Sequence, residues 1–472
     1  MSGRQTGWHG PRDGDGGQRL ARRKPGSREP RDTPEPPLAA PKKPRPPTTT
    51  ARRVALDVLN HVLGEDHQPF DEAFQGHPGL ERLAVRDRAF ARLLVTTSLR
   101  RLGQIDRAVL PLMRYRPKSH SVTNMLRLGA AQLLFLSTPA HAAVAETVRL
   151  AQASHAREVP LLNAVLRRVS SEGKSLLEGQ EPARLNTPRW LLDSWTAAYG
   201  EATALAIAEA HQTEPPLDLS VKRDPERWAT ELGAEVLTTG TLRRRAGGLI
   251  EALPGFEEGA WWVQDAAAAL PALLMGQLRG RRVLDLCAAP GGKTAQLCVA
   301  GANVTAVERS PRRAEFLAGN LARLDLRAEI VVADANEWQA PEPFDAVLLD
   351  APCTATGTIR RHPDIPWAKE PKDVARLADA QARLLATTTR LTRPGGTLVY
   401  AVCSLQPEEG PQLVAAALEG APLERDPILP RELRGLPVDL TPLGEVRTLP
   451  THLASSGGLD GFYIARLRRR PE

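Results

Sequence analysis

RVLDLCAAPGGKT, spanning Arg282–Thr294, begins as a short apolar run, passes Asp285 and Cys287, turns on Pro290, Gly291 and Gly292, and opens a helix. A short run rich in Val and Leu that feeds a helix is the repeating unit of a parallel sheet covered on both faces. The pattern recurs at NVTAVER (303–309), AEIVVAD (328–334), FDAVLLDAP (344–352) and GTLVYAVCS (396–404), with helical segments between them. This half of the chain therefore reads as an α/β domain with a parallel sheet.

Ligands of such sheets bind beyond the carboxyl ends of the strands. The unusual polar residues of this half all fall at such ends: Asp285 and Cys287, Glu308, Asp334, Asp350 and Cys353, and Cys403. Glycines in the first turn let the backbone approach a ligand closely, and the helix N-terminus behind them favours a carboxylate or phosphate. GGKT ends like a P-loop, but that motif needs its first glycine where Cys287 stands. Glu308 follows the turn by about twenty residues, where an acid can take both hydroxyls of a ribose. There is no GxGxxG, so a single nucleoside carrying a small charged group fits better than a dinucleotide. S-adenosylmethionine answers that description.

The chain has four cysteines, Cys287, Cys298, Cys353 and Cys403, with no CxxC pair and no zinc-ligand spacing, so no metal site and no disulfide framework are expected. A reducing, cytoplasmic setting fits. Cys298 reads as a packing residue on a helix, and Cys287 mainly so. Cys353 and Cys403 stand beside polar turn residues beyond strand ends. Thiols so placed suit one chemistry in particular. C5 of cytosine is too weak a nucleophile to take a methyl group from a sulfonium until a thiolate adds to C6, with an acid near N3 to stabilise the charge. Cys403, Cys353 and Asp350 are the candidates, and position alone does not say which cysteine attacks. Gln406, Pro407, Glu408 and Glu409 read as a helix start whose positive end faces Cys403.

Hydrophobic residues make up 42% of the 472 and aromatic ones only 4%, so a folded protein of two or three domains without broad stacking platforms is expected. The formal charge of +7 favours a polyanionic partner. Residues 1–50, rich in Pro, Gly, Arg and Lys, read as a disordered basic arm, either a solubilising tail or an RNA tether. Residues 51–175 carry helical spacing in segments such as ARRVALDVLNHVL, NMLRLGAAQLLFL and LLNAVLRRV, a compact bundle. Residues 186–275 read as a small α/β subdomain in which Asp224 caps a helix begun by Pro225, and residues 276–472 as the sheet domain. Trp261, Trp262, Gln264 and Asp265 form either an inter-domain seam or part of a ligand site. No apolar segment has the roughly 20 residues that span a bilayer, and no membrane partner is expected.

Taken together, DLCAAPGGKT, DAPCTATGTIRRHPDIPW and YAVCSLQPEEG resemble the signature motifs of the RNA cytosine-5 methyltransferases, and GLDGFYIARLRR resembles their last strand. LRLGAAQLLFL, PAHAAVAETVRLA and LNAVLRRV resemble the NusB family of RNA-binding helical domains. From about residue 50 the chain is similar to bacterial cytosine-5 methyltransferases of small-subunit (16S) ribosomal RNA. The resemblance implies a NusB-like bundle, a small α/β subdomain and a Rossmann-like S-adenosylmethionine-dependent methyltransferase domain. It implies that Cys287, Ala288, Ala289, Pro290, Gly291, Gly292 and Lys293 line the S-adenosylmethionine pocket, that Glu308 holds the ribose, and that Asp334 and Asp350 contact the cofactor region. It implies further that Cys403 is the nucleophile and that Cys353 assists product release. The partner expected is RNA, 16S ribosomal RNA or its precursor, and not DNA. Val402, Gly410 and Thr354-Ala355 stand where the family commonly has Thr, Asn and Ser-Gly. The competing readings are a non-catalytic NusB-like assembly or antitermination factor and, weakened at Cys287, a P-loop NTPase.

Overall fold

The computed structural model describes residues 49–65, 67–152, 154–245 and 248–471, so most of the basic arm expected over 1–50 lies outside the described residues. The front domain is helical. Helices Ala51–Val62, Val85–Arg100, Leu102–Val109, His120–Leu134, Ala140–Gln152 and Val159–Glu172 pack their apolar faces on one core that includes Leu59, Leu94, Met125, Leu128 and Leu166. Thr50 starts the first of them, its hydroxyl accepting from Arg53 N at 3.2 Å. Helices Arg189–Tyr199 and Glu201–Ala210 lead from the bundle to the rest of the chain.

Strands β1 (Leu217–Val221), β2 (Glu235–Val236), β3 (Leu242–Arg244) and β4 (Trp261–Val263) form a small antiparallel sheet in the order β2-β3-β1-β4. Helix Pro225–Leu232 crosses it, but its start differs from the expected one. Asp224 takes a left-handed conformation (φ 56°) and its side chain makes no cap hydrogen bond, so Pro225 alone sets the first turn.

The second half holds β5 (Arg282–Leu286), β6 (Asn303–Glu308), β7 (Glu329–Val332), β8 (Phe344–Asp350), β9 (Thr392–Val402), β10 (Leu423–Arg425), β11 (Asp439–Leu440), β12 (Val446–Arg447) and β13 (Tyr463–Arg469). These nine strands run β11-β12-β13-β9-β8-β5-β6-β7, with β10 paired to β13. The expected parallel arrangement holds from β7 to β9; β13 lies antiparallel to β9, and the sheet is mixed. Strand alternation sends Leu348 and Val399 to one face, with Leu270 and Leu297, and Leu349 and Tyr400 to the other, with Leu384 and Val414. Both faces are thereby covered, and functional side chains are left only at the carboxyl edge. No helix among the described residues is long and apolar enough to cross a membrane.

Candidate active site

The turn after β5 is built on two left-handed residues, Cys287 (φ 61°) and Gly291 (φ 104°), and helix Gly292–Val299 begins directly behind it. The φ of Gly291 is one that L side chains rarely adopt, and a Cβ there would also lie 2.5 Å from the Leu317 side chain, which favours glycine. Asn320 and Arg313, from helix Pro311–Arg323, donate to the carbonyls of Pro290 (2.8 Å) and Ala289 (2.6 Å) and hold the turn in place. Asp285 is fully buried and accepts from the Thr294 hydroxyl at 2.6 Å. Burial pushes its carboxyl up to about 7, with Asp350 adding to the effect and Thr294 opposing it.

Glu308, 4% exposed at the end of β6, accepts from Ser310 N at 2.9 Å through Oε1. Its Oε2, 3.7 Å from Arg313 Nη1, and the Oδ1 of Asp285 are buried oxygens that accept no hydrogen bond from the protein. Such atoms are costly unless a ligand satisfies them. Asp334, beyond β7, caps its own turn by accepting from Asn336 N at 2.9 Å. Lys293 spans the site: its Nζ donates to Asp350 Oδ2 at 2.7 Å and lies 5.3 Å from the Phe462 ring centre. Burial alone would lower the Lys293 pKa, but Asp350, with smaller contributions from Cys403 and Asp285, outweighs it and the ammonium is held above its ordinary value.

The two motif cysteines meet. Cys353 Sγ lies 3.4 Å from Cys403 Sγ, although 50 residues separate them. The contact with Cys403, burial, and the charges of Cys403 and Glu409 all push the Cys353 thiol well above its usual range, so Cys353 keeps its proton. The other two cysteines are inert by environment. Burial, then Asp350, Glu308 and Asp285, push Cys287 up to about 12; burial does the same for Cys298, which donates to Arg327 O at 3.3 Å.

The family described as 16S rRNA methyltransferase RsmB/F matches residues 272–468, and the NusB family matches residues 49–171. Ribosomal RNA small subunit methyltransferase B of Klebsiella pneumoniae subsp. pneumoniae is 38% identical over 366 residues, covering 73% of this chain and 84% of that protein. The protein of the same name from Pseudomonas putida is 37% identical over 410 residues, covering 82% and 92%. The chain belongs to the RsmB/F family of 16S rRNA methyltransferases. The solved structure of PH0851 superposes with a TM-score of 0.73 at 23% identity, covering 90% of this chain and 100% of that one, which speaks to the fold alone. A methyltransferase homolog from Pyrococcus horikoshii gives a TM-score of 0.51 at 26% identity, over 61% of this chain and 97% of that one.

Several members of the site escape a reading of the sequence. The expected helix start at Gln406–Glu409 is a short 3-10 turn, Pro407–Glu409, and the helix proper begins at Pro411. Its positive end is thus displaced from Cys403, and Glu409 is buried rather than exposed in a first turn. Arg447, on β12, donates to Ser404 O at 2.7 Å. Trp261 and Trp262 are buried, Gln264 bonds Ser220, Trp262 and Gln296, and Trp262 packs with Ala288 and Ala289, so these residues line a seam that abuts the turn after β5. Asp265 and Asp460 hold Arg361, at 2.6 and 2.9 Å, and so anchor the segment that follows Cys353. No pattern in the sequence marks Glu409, because two acids after a proline are ordinary in a first helical turn.

Proposed function

We propose that this protein methylates C5 of a cytosine in small-subunit (16S) ribosomal RNA, with Cys403 as nucleophile and Cys353 as its partner in release. Membership of the RsmB/F family makes the chain an S-adenosylmethionine-dependent RNA methyltransferase. The observation that carries the finer reading is the sulfur pair, 3.4 Å apart at the carboxyl edge of the sheet. The cofactor fits the residues present: Glu308 offers for ribose hydroxyls a buried oxygen that accepts no hydrogen bond from the protein and lies 3.7 Å from Arg313, Asp285 offers a second acceptor, and the Cys287–Lys293 turn has the glycine geometry that a close ligand requires. Asp334 and Asp350 complete the set that would hold it. When bound, S-adenosylmethionine supplies the methyl group that C5 acquires.

The chain's own residues do the rest. Cys403, as the thiolate, adds through sulfur to C6, the C5–C6 π pair moves toward N3, and N3 takes up a proton held against Asp350; as C5 bonds the methyl group, N3 gives that proton back to Asp350. Lys293 balances the Asp350 charge at 2.7 Å. Once C5 is alkylated, its proton leaves to a base, the C–H pair re-forms the C5–C6 double bond, and the S–C6 bond breaks with its electrons on Cys403. Cys353, a thiol 3.4 Å away, then donates its proton to the departing sulfur, a role that the sulfur contact supports.

The test is incubation with unmodified 16S ribosomal RNA and S-adenosylmethionine, followed by nuclease digestion and mass spectrometry. Wild type should yield 5-methylcytidine, Cys403→Ala none, and Cys353→Ala a covalent protein–RNA adduct stable to denaturing gels. Full activity of Cys403→Ala would refute the assignment.

A further inference from the structure

The chemistry above makes no use of Glu409, yet this carboxylate is completely buried and four neutral donors converge on it. Oε1 accepts from Thr354 N (2.9 Å) and Gln381 Nε2 (3.0 Å); Oε2 accepts from the hydroxyls of Thr354 and Ser404. Thr354 directly follows Cys353, and Ser404 directly follows Cys403. One side chain therefore grips both loops at the residue next to each sulfur. The surrounding bonds run the same way. Gly357 N donates to Cys403 O (3.0 Å), Leu405 N to the Thr356 hydroxyl (3.0 Å), and Gln381 Nε2 also to Pro352 O (2.9 Å). Tyr400 OH donates to the Glu409 carbonyl at 2.6 Å, fixing the turn from below. A carboxylate has acceptor sites for four donors, and while burial raises the Glu409 pKa, the bonds from Ser404, Thr354 and Gln381 oppose that rise. Burying one without a cation is costly, so a specific arrangement must compensate.

We propose that Glu409 is a positioning residue for the two-cysteine chemistry: it locks Thr354 and Ser404 into one frame and thereby holds the sulfurs of Cys353 and Cys403 in contact across two loops. This rests on the reading of the two cysteines as the reacting pair, and it extends the site to the turn Pro407–Glu409. The charge of Glu409 also acts on Cys353 directly, adding to the effects that keep its thiol protonated.

The decisive experiment needs neither RNA nor cofactor. The reduced full-length protein is treated with diamide, which accepts the two electrons and two protons released as the Cys353 and Cys403 thiols join in an S–S bond. The linked peptides are followed by mass spectrometry. Wild type should close this link quickly, Glu409→Ala about tenfold or more slower, and Glu409→Gln within a few-fold of wild type, because a 1 Å loss of alignment has effects of that order. Glutamine keeps an oxygen for the two N–H donors, and its amide can donate to the rotatable hydroxyls. Thr354→Val, which removes one grip and little volume, should slow the link in the same direction and replaces Glu409→Ala should that variant not fold. In methylation assays Glu409→Ala should lose kcat with KM for S-adenosylmethionine unchanged, and Glu409→Gln should recover most of it. A wild-type linking rate in Glu409→Ala, or in Thr354→Val where that variant stands in, overturns the proposal even if the enzyme is active. Fast linking in wild type and slow linking in the variants, with no 5-methylcytidine from any of them, upholds the positioning role and rejects the proposed function instead.

Discussion

At the scale of single residues, the site sets backbone strain beside its chemistry. Ala355, two residues beyond Cys353, is held at φ 58°, in the left-handed region where a Cβ costs about 1–2 kcal/mol. Glycine removes that cost and returns about 0.4–1 kcal/mol of unfolded-chain entropy. Ala355→Gly should therefore raise stability, by up to about 1 kcal/mol in urea denaturation; a lower midpoint would show that the half-buried Ala355 methyl outweighs the strain. Cys287 is left-handed as well (φ 61°), and here the sequence could be read in advance only in part. Its place in the turn was legible, whereas its raised pKa comes first from burial and then from the carboxylates of Asp350, Glu308 and Asp285 that the fold gathers round it.

Among the elements, the loop carrying Cys403 is braced from outside the sheet by helix Arg189–Tyr199. Trp195 Nε1 donates to the buried Gln406 Oε1 at 2.9 Å, Tyr199 OH to Leu405 O at 2.6 Å, and Gln406 Nε2 to Ser194 Oγ at 3.1 Å. Trp195→Phe should leave Gln406 Oε1 without a donor and cost about 1–3 kcal/mol, beyond any packing loss. Adding Gln406→Leu should recover part of that, because removing both partners avoids the unpaired group. Chemical denaturation of the two variants tests this, and no recovery in the double variant would mean that packing dominates. This brace was not readable from the sequence, since Trp195 and Gln406 lie 211 residues apart and local periodicity does not pair them.

Over the whole molecule, the helical front domain docks on the segment that follows Cys353. Asp364 accepts from Phe70 N (3.1 Å), Trp367 Nε1 donates to Leu99 O (2.9 Å), and Arg100 donates to Arg360 O (2.8 Å). His362 Nδ1 lies 3.0 Å from Asp71 Oδ2, a pair with Arg92 on its far side. Burial opposes both charges, yet the pairing wins: Asp71 falls to about 2 and His362 rises above its ordinary 6.5. A histidine whose folded pKa exceeds its unfolded one contributes stability that is fully present below about 6.5 and is lost as pH rises through the folded value. The melting-temperature gap between wild type and Asp71→Asn should therefore be widest near pH 5.5–6 and narrow toward pH 8, leaving the remainder due to Arg92. A gap that does not change with pH would deny the pair this role. RRHPDIPW thus joins the front domain to the cysteine loop, while the +7 charge of the chain suits the RNA that the family modifies.

Read alone, the sequence determined the alternating α/β half, the glycine turn, the helical front domain, and the placing of Glu308, Asp334, Asp350, Cys353 and Cys403 at strand ends. Each of these follows from local periodicity and turn chemistry, which short windows of sequence contain. The tertiary structure decided that Cys353 and Cys403 touch, that Lys293 reaches Asp350, that Glu409 is buried between the two loops, and that Asp364 closes on Phe70. Those pairs lie 50 to 294 residues apart, and only packing of the completed sheet and its covering helices brings them within bonding distance.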